Sequence, residues 1–174
     1  TQETRNKIGN IMLKFTFENI YKHNLFYSDN HYGNFLVKDE KLCVLDFGCV
    51  SIIEDPLLST LKNIHKYLYE NDKDNFVKTM KTAGILNEET SKISVDYCYD
   101  FFKLQYRPLL DDDFIITDEW VDTVGEKDVL KMKEWSLPPH WIYLHKIPYG
   151  LYHILGKMNM KTNCSKYLYE TYCK

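Results

Sequence analysis

Apolar residues in the first stretch of the chain recur three and four positions apart. Between Thr4 and His23, the positions Ile8, Ile11, Met12 and Phe15 fall at i, i+3, i+4 and i+7, the stripe of an amphipathic helix. Asn24 is a natural stop for it. The period then changes. Two short runs rich in apolar and β-branched residues follow, "NFLV" and "KLCVLDF", and such runs are expected to be buried. The polar "KDEK" between them, Lys38 to Lys41, predicts a hairpin turn. After Gly48 the run "CVSII" predicts a further short strand. Pro56 suits the first turn of a helix reaching about Tyr69. Beyond it, helical spacing dominates in segments 73–83, 88–107, 118–134 and 138–159, separated by "AGILNEET", "PLLDDDF" and "SLPP". Pro148 either kinks the last of these or opens a new helix carrying Leu151, Ile154, Leu155 and Met158. A short helix is expected after Ser165. The pattern gives an α+β fold, mostly α: one helix, a small β-hairpin, then a helical bundle. There are no repeats and no low-complexity linker.

Polar chemistry concentrates on the hairpin. In "NLFYSDNHYGNFLVKDEKLCVLDFG", Asn24 to Gly48, Asp29 is followed by four residues, then Asn34, then eleven residues, then Asp46-Phe47-Gly48. Taken singly these are ordinary: an Asp in a surface turn, an Asn closing a loop, an Asp at a strand end. Together, at the ends of predicted strands, they suit phosphoryl transfer, where a metal ion neutralises charge on phosphate oxygens. Mg²⁺ takes hard oxygen ligands, a few from protein and the rest from phosphate and water. Asn34 and Asp46 supply an amide and a carboxylate oxygen from the two ends of the hairpin. Asp29, in the loop before it, can accept a proton from an attacking hydroxyl or orient a water. Gly33 and Gly48 are expected to let the two loops turn sharply without a Cβ.

Composition narrows the field. At 174 residues and 44% hydrophobic content, the chain can build one domain with a real core. The formal net charge is −3 and the lysines are scattered, so neither nucleic acid nor a bulk anionic surface is an expected partner. The 14 tyrosines carry no functional reading by themselves. The five cysteines, Cys43, Cys49, Cys98, Cys164 and Cys173, form no zinc-like spacing. With no secretory leader and no run of about 18 apolar residues, they are expected to be reduced, mostly buried thiols in a cytosolic protein, Cys49 included. His31 is expected to hold its loop by hydrogen bonding. Asp111 to Asp113 are expected in a solvated loop, lacking the EF-hand pattern. Trp120, Trp135 and Trp141 are expected in the core on helical segments. The Leu151, Ile154, Leu155 and Met158 stripe is expected in the core too.

At these residues the sequence resembles a family. "YSDNHYGNFLV" and "KLCVLDFGCV" resemble the catalytic and metal-binding loops of protein-kinase-like folds. More narrowly they resemble the UbiB/AarF-type atypical kinases, whose pattern reads roughly H-A-D-P-H-P-G-N followed by D-F-G. Asp29, His31, Gly33, Asn34, Asp46, Phe47 and Gly48 match it. "IGNIMLKFTFENIYKHNLFYSD" is similar to the helix entering that loop, and "LPPHWIYLHKIPYGLYHILGKMN" to a late helix after a proline pair. The resemblance implies a kinase-like C-lobe over residues 1–174, carrying catalytic and metal loops on its hairpin. It implies binding of ATP with Mg²⁺ and a link to isoprenoid-quinone (ubiquinone) metabolism. Asp29 corresponds to the catalytic-loop acid and Asn34 and Asp46 to the metal ligands, with Gly48 beside the cofactor. Tyr27-Ser28 stands where the family has His-Ala, and Asn30 and Tyr32 where it has prolines. The family's Lys-x-Gly-Gln stretch and a strand-rich nucleotide-covering N-lobe are not in the sequence, which opens on Thr. The expectation is a fragment of a longer protein, inactive alone, located in the cytoplasm with an option of peripheral membrane contact. The acceptor, whether lipid, protein or small molecule, is not legible. Two other readings stand beside it. One is a small-molecule phosphotransferase of the aminoglycoside or choline kinase type, whose His-Gly-Asp triplet is here Tyr27-Ser28-Asp29. The other is a catalytically silent nucleotide-binding scaffold.

Overall fold

The computed structural model describes residues 1–125 and 129–174. Helix α1 spans Gln2–His23. The Thr1 hydroxyl accepts the N–H of Thr4 at its start, and Asn24 ends it in the left-handed conformation, φ 55°, donating its N–H to the Asn19 carbonyl. The predicted stop therefore falls where the backbone reverses.

The chain next enters two small antiparallel ladders. Strand β1 (Leu25–Tyr27) is followed by a single 3-10 turn, Tyr32–Asn34, and the hairpin strands β2 (Phe35–Lys38) and β3 (Lys41–Val44). Asp39 and Glu40 make the turn, with φ of 49° and 58°. Two successive left-handed residues are what a two-residue hairpin turn with the strands' own twist requires. An ion pair from Lys7 on α1 to Glu40 ties the turn down. Strand β4 (Val50–Ile52) then returns to pair with β1, Tyr27 opposite Val50 and Leu25 opposite Ile52. The sequence reading gave β4 no partner and left β1 unassigned. Leu25-Phe26-Tyr27 is a three-residue strand, too short for periodicity to register.

Helices α2 (Asp55–Tyr69), α3 (Lys73–Thr82) and α4 (Lys92–Gln105) follow, with Pro56 in the first turn of α2 as expected. A short α5 (Arg107–Leu110) was not anticipated. The helix expected over 118–134 is described as α6 (Asp118–Gly125) and α7 (Val129–Met132); residues 126–128 lie outside the described residues. Helix α8 (Pro139–Lys157) continues through Pro148, so that proline does not open a new helix. Helix α9 (Ser165–Tyr172) closes the chain. A third ladder, β5 (Ile115–Ile116) with β6 (Met160–Lys161), was also missed. The fold is mostly helical with small antiparallel sheets.

One buried cluster joins the helices. It holds Ile8, Met12, Phe17 and Ile20 of α1, Leu61, Ile64 and Leu68 of α2, Leu151 and Leu155 of α8, and Leu168 of α9. Trp141 on α8 belongs to it as expected, and Trp120 packs against it. Trp135 is buried too, but in the link between α7 and α8 rather than on a helix. The apolar stripe of α8 lies in this core, with Met158 at its margin. No described helix is long and apolar enough to cross a membrane.

The hairpin does not follow the expectation of burial. Leu36, Val37, Leu45 and Phe47 are exposed, Phe47 to 61%, and Ile52 of β4 to 80%. Only Phe35 and Leu42 of β2 and β3 reach the core. A two-stranded ribbon has two faces, and the helices cover part of one. Cys43 and Cys49 are exposed for the same reason, against the expectation that Cys49 is buried.

Candidate functional site

Both polar loops leave the same ends of the two ladders. Residues 28–34 connect β1 to β2, and residues 45–49 connect β3 to β4. The pairing of β1 with β4 and of β2 with β3 therefore holds the two loops side by side. Backbone bonds fasten them further. Ser28 donates its N–H to the Cys49 carbonyl at 3.1 Å, and Leu45 donates to the Asn34 carbonyl at 3.0 Å. Asn34 and Asp46 thus lie within one residue of each other across the hairpin, although eleven residues separate them in sequence.

The side chains are organised within each loop. The amide nitrogen of Asn34 donates to the Asp29 carboxylate at 2.7 Å and to the Asp29 carbonyl at 3.1 Å. His31 caps the 3-10 turn, its Nδ1 accepting the Gly33 N–H at 3.1 Å, which is the loop-holding role expected of it. Asp46 folds back on its own loop, Oδ1 accepting the Gly48 N–H at 2.7 Å. Asp29 and Asn34 are half-buried, whereas Asp46 is exposed.

The glycines act differently from the expectation. Among the described residues the only glycine with a left-handed φ is Gly84. At Gly48 an added Cβ would stand 3.1 Å from Asp46 Oδ1, and at Gly33 it would stand 3.2 Å from His31 Nδ1. Both glycines admit a neighbouring side chain to the backbone N–H; neither relieves torsional strain.

Tyr27 was not among the sequence candidates. Its ring is only 4% exposed and meets the rings of Phe15, Phe35 and Phe47 at centroid distances of 6.2, 6.1 and 6.4 Å. Its hydroxyl makes no hydrogen bond. Burial raises its pKa above the usual tyrosine value. The Asn34 side chain pulls the other way, while the charges of Asp29 and Asp46, and Cys49, raise it further. Its ring thus packs against Phe35, next to Asn34, and Phe47, next to Asp46. An aromatic residue two positions before the acid, in place of the family's histidine, was the available signal.

These groups suit a hard cation. Asn34 and Asp46 offer amide and carboxylate oxygens from the two ends of the hairpin. Among the described residues no three His, Cys, Asp or Glu side chains are placed to hold a metal, so the protein set is one carboxylate and one amide. That suits Mg²⁺, which keeps waters and phosphate oxygens as ligands, and is too sparse for a zinc-type cage. A groove of about 900 Å³ between α2 and α3, lined by Leu57, Asn63, Tyr67 and Lys78 among others, lies apart from the three residues. So does a hollow of about 40 Å³ lined by Phe17, Tyr21, Trp141 and Tyr152.

The two polar loops resemble those of atypical-kinase-like proteins, and comparison with known proteins points the same way. Residues 1–80 match the ABC1 atypical kinase-like domain. Among curated proteins, Protein ACTIVITY OF BC1 COMPLEX KINASE 8, chloroplastic, of Arabidopsis thaliana is 29% identical over 85 residues, which is 47% of this chain and 11% of that protein. An uncharacterized protein in the hydrogenase 1 5′ region of Clostridium pasteurianum is 21% identical over 98 residues, 54% of this chain and 18% of that protein. A solved structure, the complex of Rv3197 with erythromycin from Mycobacterium tuberculosis, superposes with a TM-score of 0.74 at 20% identity. It covers 99% of this chain and 44% of the other. The chain thus spans less than half the length of the proteins it matches. The UbiB/AarF-type resemblance read from the loop residues is shown by these matches.

Proposed function

We propose that this chain is the metal- and phosphate-handling C-lobe of a Mg-ATP-dependent atypical kinase or ATPase. The observation that carries the reading is the bond from Asn34 to the Asp29 carboxylate, in a loop held beside Asp46. Asp29 is the acid–base group. One of its oxygens is fixed by Asn34, which orients the other to take a proton from an attacking hydroxyl or to hold a water. Asn34 and Asp46 would hold Mg²⁺, which when bound supplies positive charge against the phosphate oxygens. Gly48 keeps the backbone N–H open to Asp46, so that this carboxylate holds one direction. An N-lobe packed over the exposed Leu36, Val37, Leu45 and Phe47 would complete the nucleotide site. The UbiB/AarF resemblance supports an isoprenoid-quinone setting for the acceptor, in the cytoplasm or at a membrane surface.

The test is thermal unfolding of the complete natural protein with ADP or ATP, with and without Mg²⁺. A bound nucleotide at a hundredfold excess over its Kd stabilises by about 2.7 kcal/mol. Asp46→Asn is expected to remove the Mg²⁺-dependent part of the shift. Asp29→Asn is expected to keep the shift and abolish turnover. A wild-type protein with no Mg²⁺-dependent shift would sink the reading.

A further inference from the structure

The turn that carries Asp29 rests on a helix from the far end of the sequence. The N–H of His31 donates to the Asp29 carbonyl at 2.8 Å, which closes a γ-turn with Asn30 at its tip. That tip meets α8 at Gly150, where an added Cβ would stand 3.4 Å from both the Cβ and the carbonyl oxygen of Asn30. One turn further along α8, the Tyr32 hydroxyl reaches the His153 carbonyl at 3.4 Å. Positions 150 and 153 lie on one face of the helix, and the loop from Asp29 to Asn34 leans on that face.

Glycine is a poor helix former, so propensity does not explain Gly150 in the body of α8. Torsion does not ask for it either, because its φ is not left-handed. What it supplies is room for Asn30. The helix itself has no freedom to move aside. Leu151, Tyr152 and Leu155 are buried in the core, and the Tyr152 hydroxyl donates to the Gln105 carbonyl at 2.9 Å. A larger side chain at position 150 therefore displaces the turn rather than the helix. Asp29 is the neighbouring residue of that turn, and its carboxylate is aligned through a single bond from Asn34.

We infer that Gly150 is a positioning residue for the catalytic loop: by admitting the Asn30 tip against α8, it sets where the Asp29 carboxylate stands relative to Asn34. This deepens the proposed function and rests on it for the use made of Asp29.

The test reads the loop directly. In the complete natural protein labelled with ¹⁵N-asparagine, the side-chain amide signal of Asn34 is identified by its loss in Asn34→Asp. Its bond to a carboxylate shifts that signal and slows its exchange with water. Gly150→Val is the probe. The branched side chain is stiff in a helix and cannot swing aside, and helix propensity does not fall from glycine to valine. In Gly150→Val the Asn34 signal is expected to move toward that of a free amide and to exchange at least tenfold faster. The kcat for nucleotide turnover is expected to fall at least tenfold, with nucleotide KM within twofold and ligand-free Tm within a few degrees of wild type. Gly150→Ala, whose Cβ stands at ordinary contact distance, is expected to keep the wild-type signal. Should Gly150→Val fail to fold, Gly150→Ser, one atom larger than alanine, decides by the same signal. An Asn34 signal unmoved in the larger variant overturns the inference and leaves the proposed function standing. A moved signal with unchanged kcat overturns it too, since the contact would then serve packing alone. Wild-type protein without a Mg²⁺-dependent nucleotide shift sinks the proposed function, and the positioning role falls with it.

Discussion

Asn34 and Asp29 are joined side chain to side chain, the amide nitrogen 2.7 Å from the carboxylate oxygen. The same nitrogen reaches the Asp29 carbonyl at 3.1 Å. Both partners are pure acceptors, so the amide cannot be turned around: its oxygen would face two oxygens. The bond therefore orients Asp29 and directs Asn34 Oδ1 away from it. Asn34→Asp keeps the shape and reverses the chemistry, setting a carboxylate against a carboxylate. The variant is expected to lose about 1–2 kcal/mol of stability at pH 7. Millimolar Mg²⁺ should restore part of that loss, because a cation between two carboxylates neutralises them. Urea unfolding with and without Mg²⁺ checks both statements; wild-type stability in the metal-free variant would contradict the assigned bond.

A second prediction concerns His65, which is wholly buried under α9. Its Nε2 lies 3.1 Å from the Leu109 carbonyl, an acceptor, so Nε2 carries the proton. Nδ1 then accepts from the Tyr21 hydroxyl at 3.1 Å or the Cys173 thiol at 3.3 Å. Burial lowers the His65 pKa to about 4, with the Leu109 carbonyl opposing. The unfolded chain, at the ordinary value of about 6.5, takes up its proton first as pH falls. Stability is complete above pH 6.5 and drains away between there and about pH 4, by about 3 kcal/mol in all and about 2 kcal/mol by pH 5. His65→Gln keeps a donor for Leu109 and cannot titrate. Its stability should fall less between pH 7.5 and pH 5 than that of wild type, by about 2 kcal/mol in urea unfolding. Equal pH dependence in the two proteins would contradict the burial argument.

How much of this was written in the sequence depends on range. Helix α1 and its stop at Asn24, Pro56 in the first turn of α2, and the Lys38–Lys41 turn are local matters of period and turn chemistry, and they were legible. The spacing of Asp29, Asn34 and Asp46 was legible as well, since a two-residue turn brings hairpin ends together by geometry alone. The pairing of β1 with β4 was not, because Tyr27 and Val50 meet only after the whole hairpin has folded between them. Burial was misread where it mattered most. Leu36, Val37 and Phe47 read as core by type, but exposure is decided by what packs over a ribbon, and no local pattern reports that. Tyr27 was not legible because its burial among Phe15, Phe35 and Phe47 is set by tertiary packing, which sequence does not display.

The cysteines give a direct check on that division. Cys43 on β3 and Cys49 beside Gly48 are exposed, while Cys98, Cys164 and Cys173 are buried. Burial pushes each of the latter three thiols up to about 12, and for Cys164 and Cys173 nearby lysines oppose this without reversing it. A thiol reacts through its thiolate, so these three should be inert in the native state. Iodoacetamide at pH 8 is expected to label two cysteines in native protein and all five after unfolding. Mass analysis identifies the sites, and native labelling of Cys98 or Cys173 would show that α4 or α9 is not packed as described.

The last prediction tests the seam that anchors α1 beneath the site. Asn10 is buried, and its side chain is fully used: Nδ2 donates to the carbonyls of Asn6 and Lys161, each at 2.8 Å, and Oδ1 accepts the Asn163 N–H at 2.8 Å. One residue earlier, a Cβ on Gly9 would stand 2.3 Å from Met160 Cγ, so helix and ladder are already in close contact here. Asn10→Ala removes the side chain and takes this partner from the Lys161 carbonyl and the Asn163 N–H, both only part-buried, at an expected cost of about 1–2 kcal/mol. Asn10→Asp is nearly the same shape, yet it should cost at least as much at pH 7, because a carboxylate would face two carbonyl oxygens. The Asp29 loop is held by its own bonds and by β4, so Mg-nucleotide affinity of either variant, measured at 10 °C where the protein remains folded, should match wild type. A combined loss of stability and affinity would mean that α1 positions the loop directly through Phe15 and Tyr27, rather than serving only as its foundation.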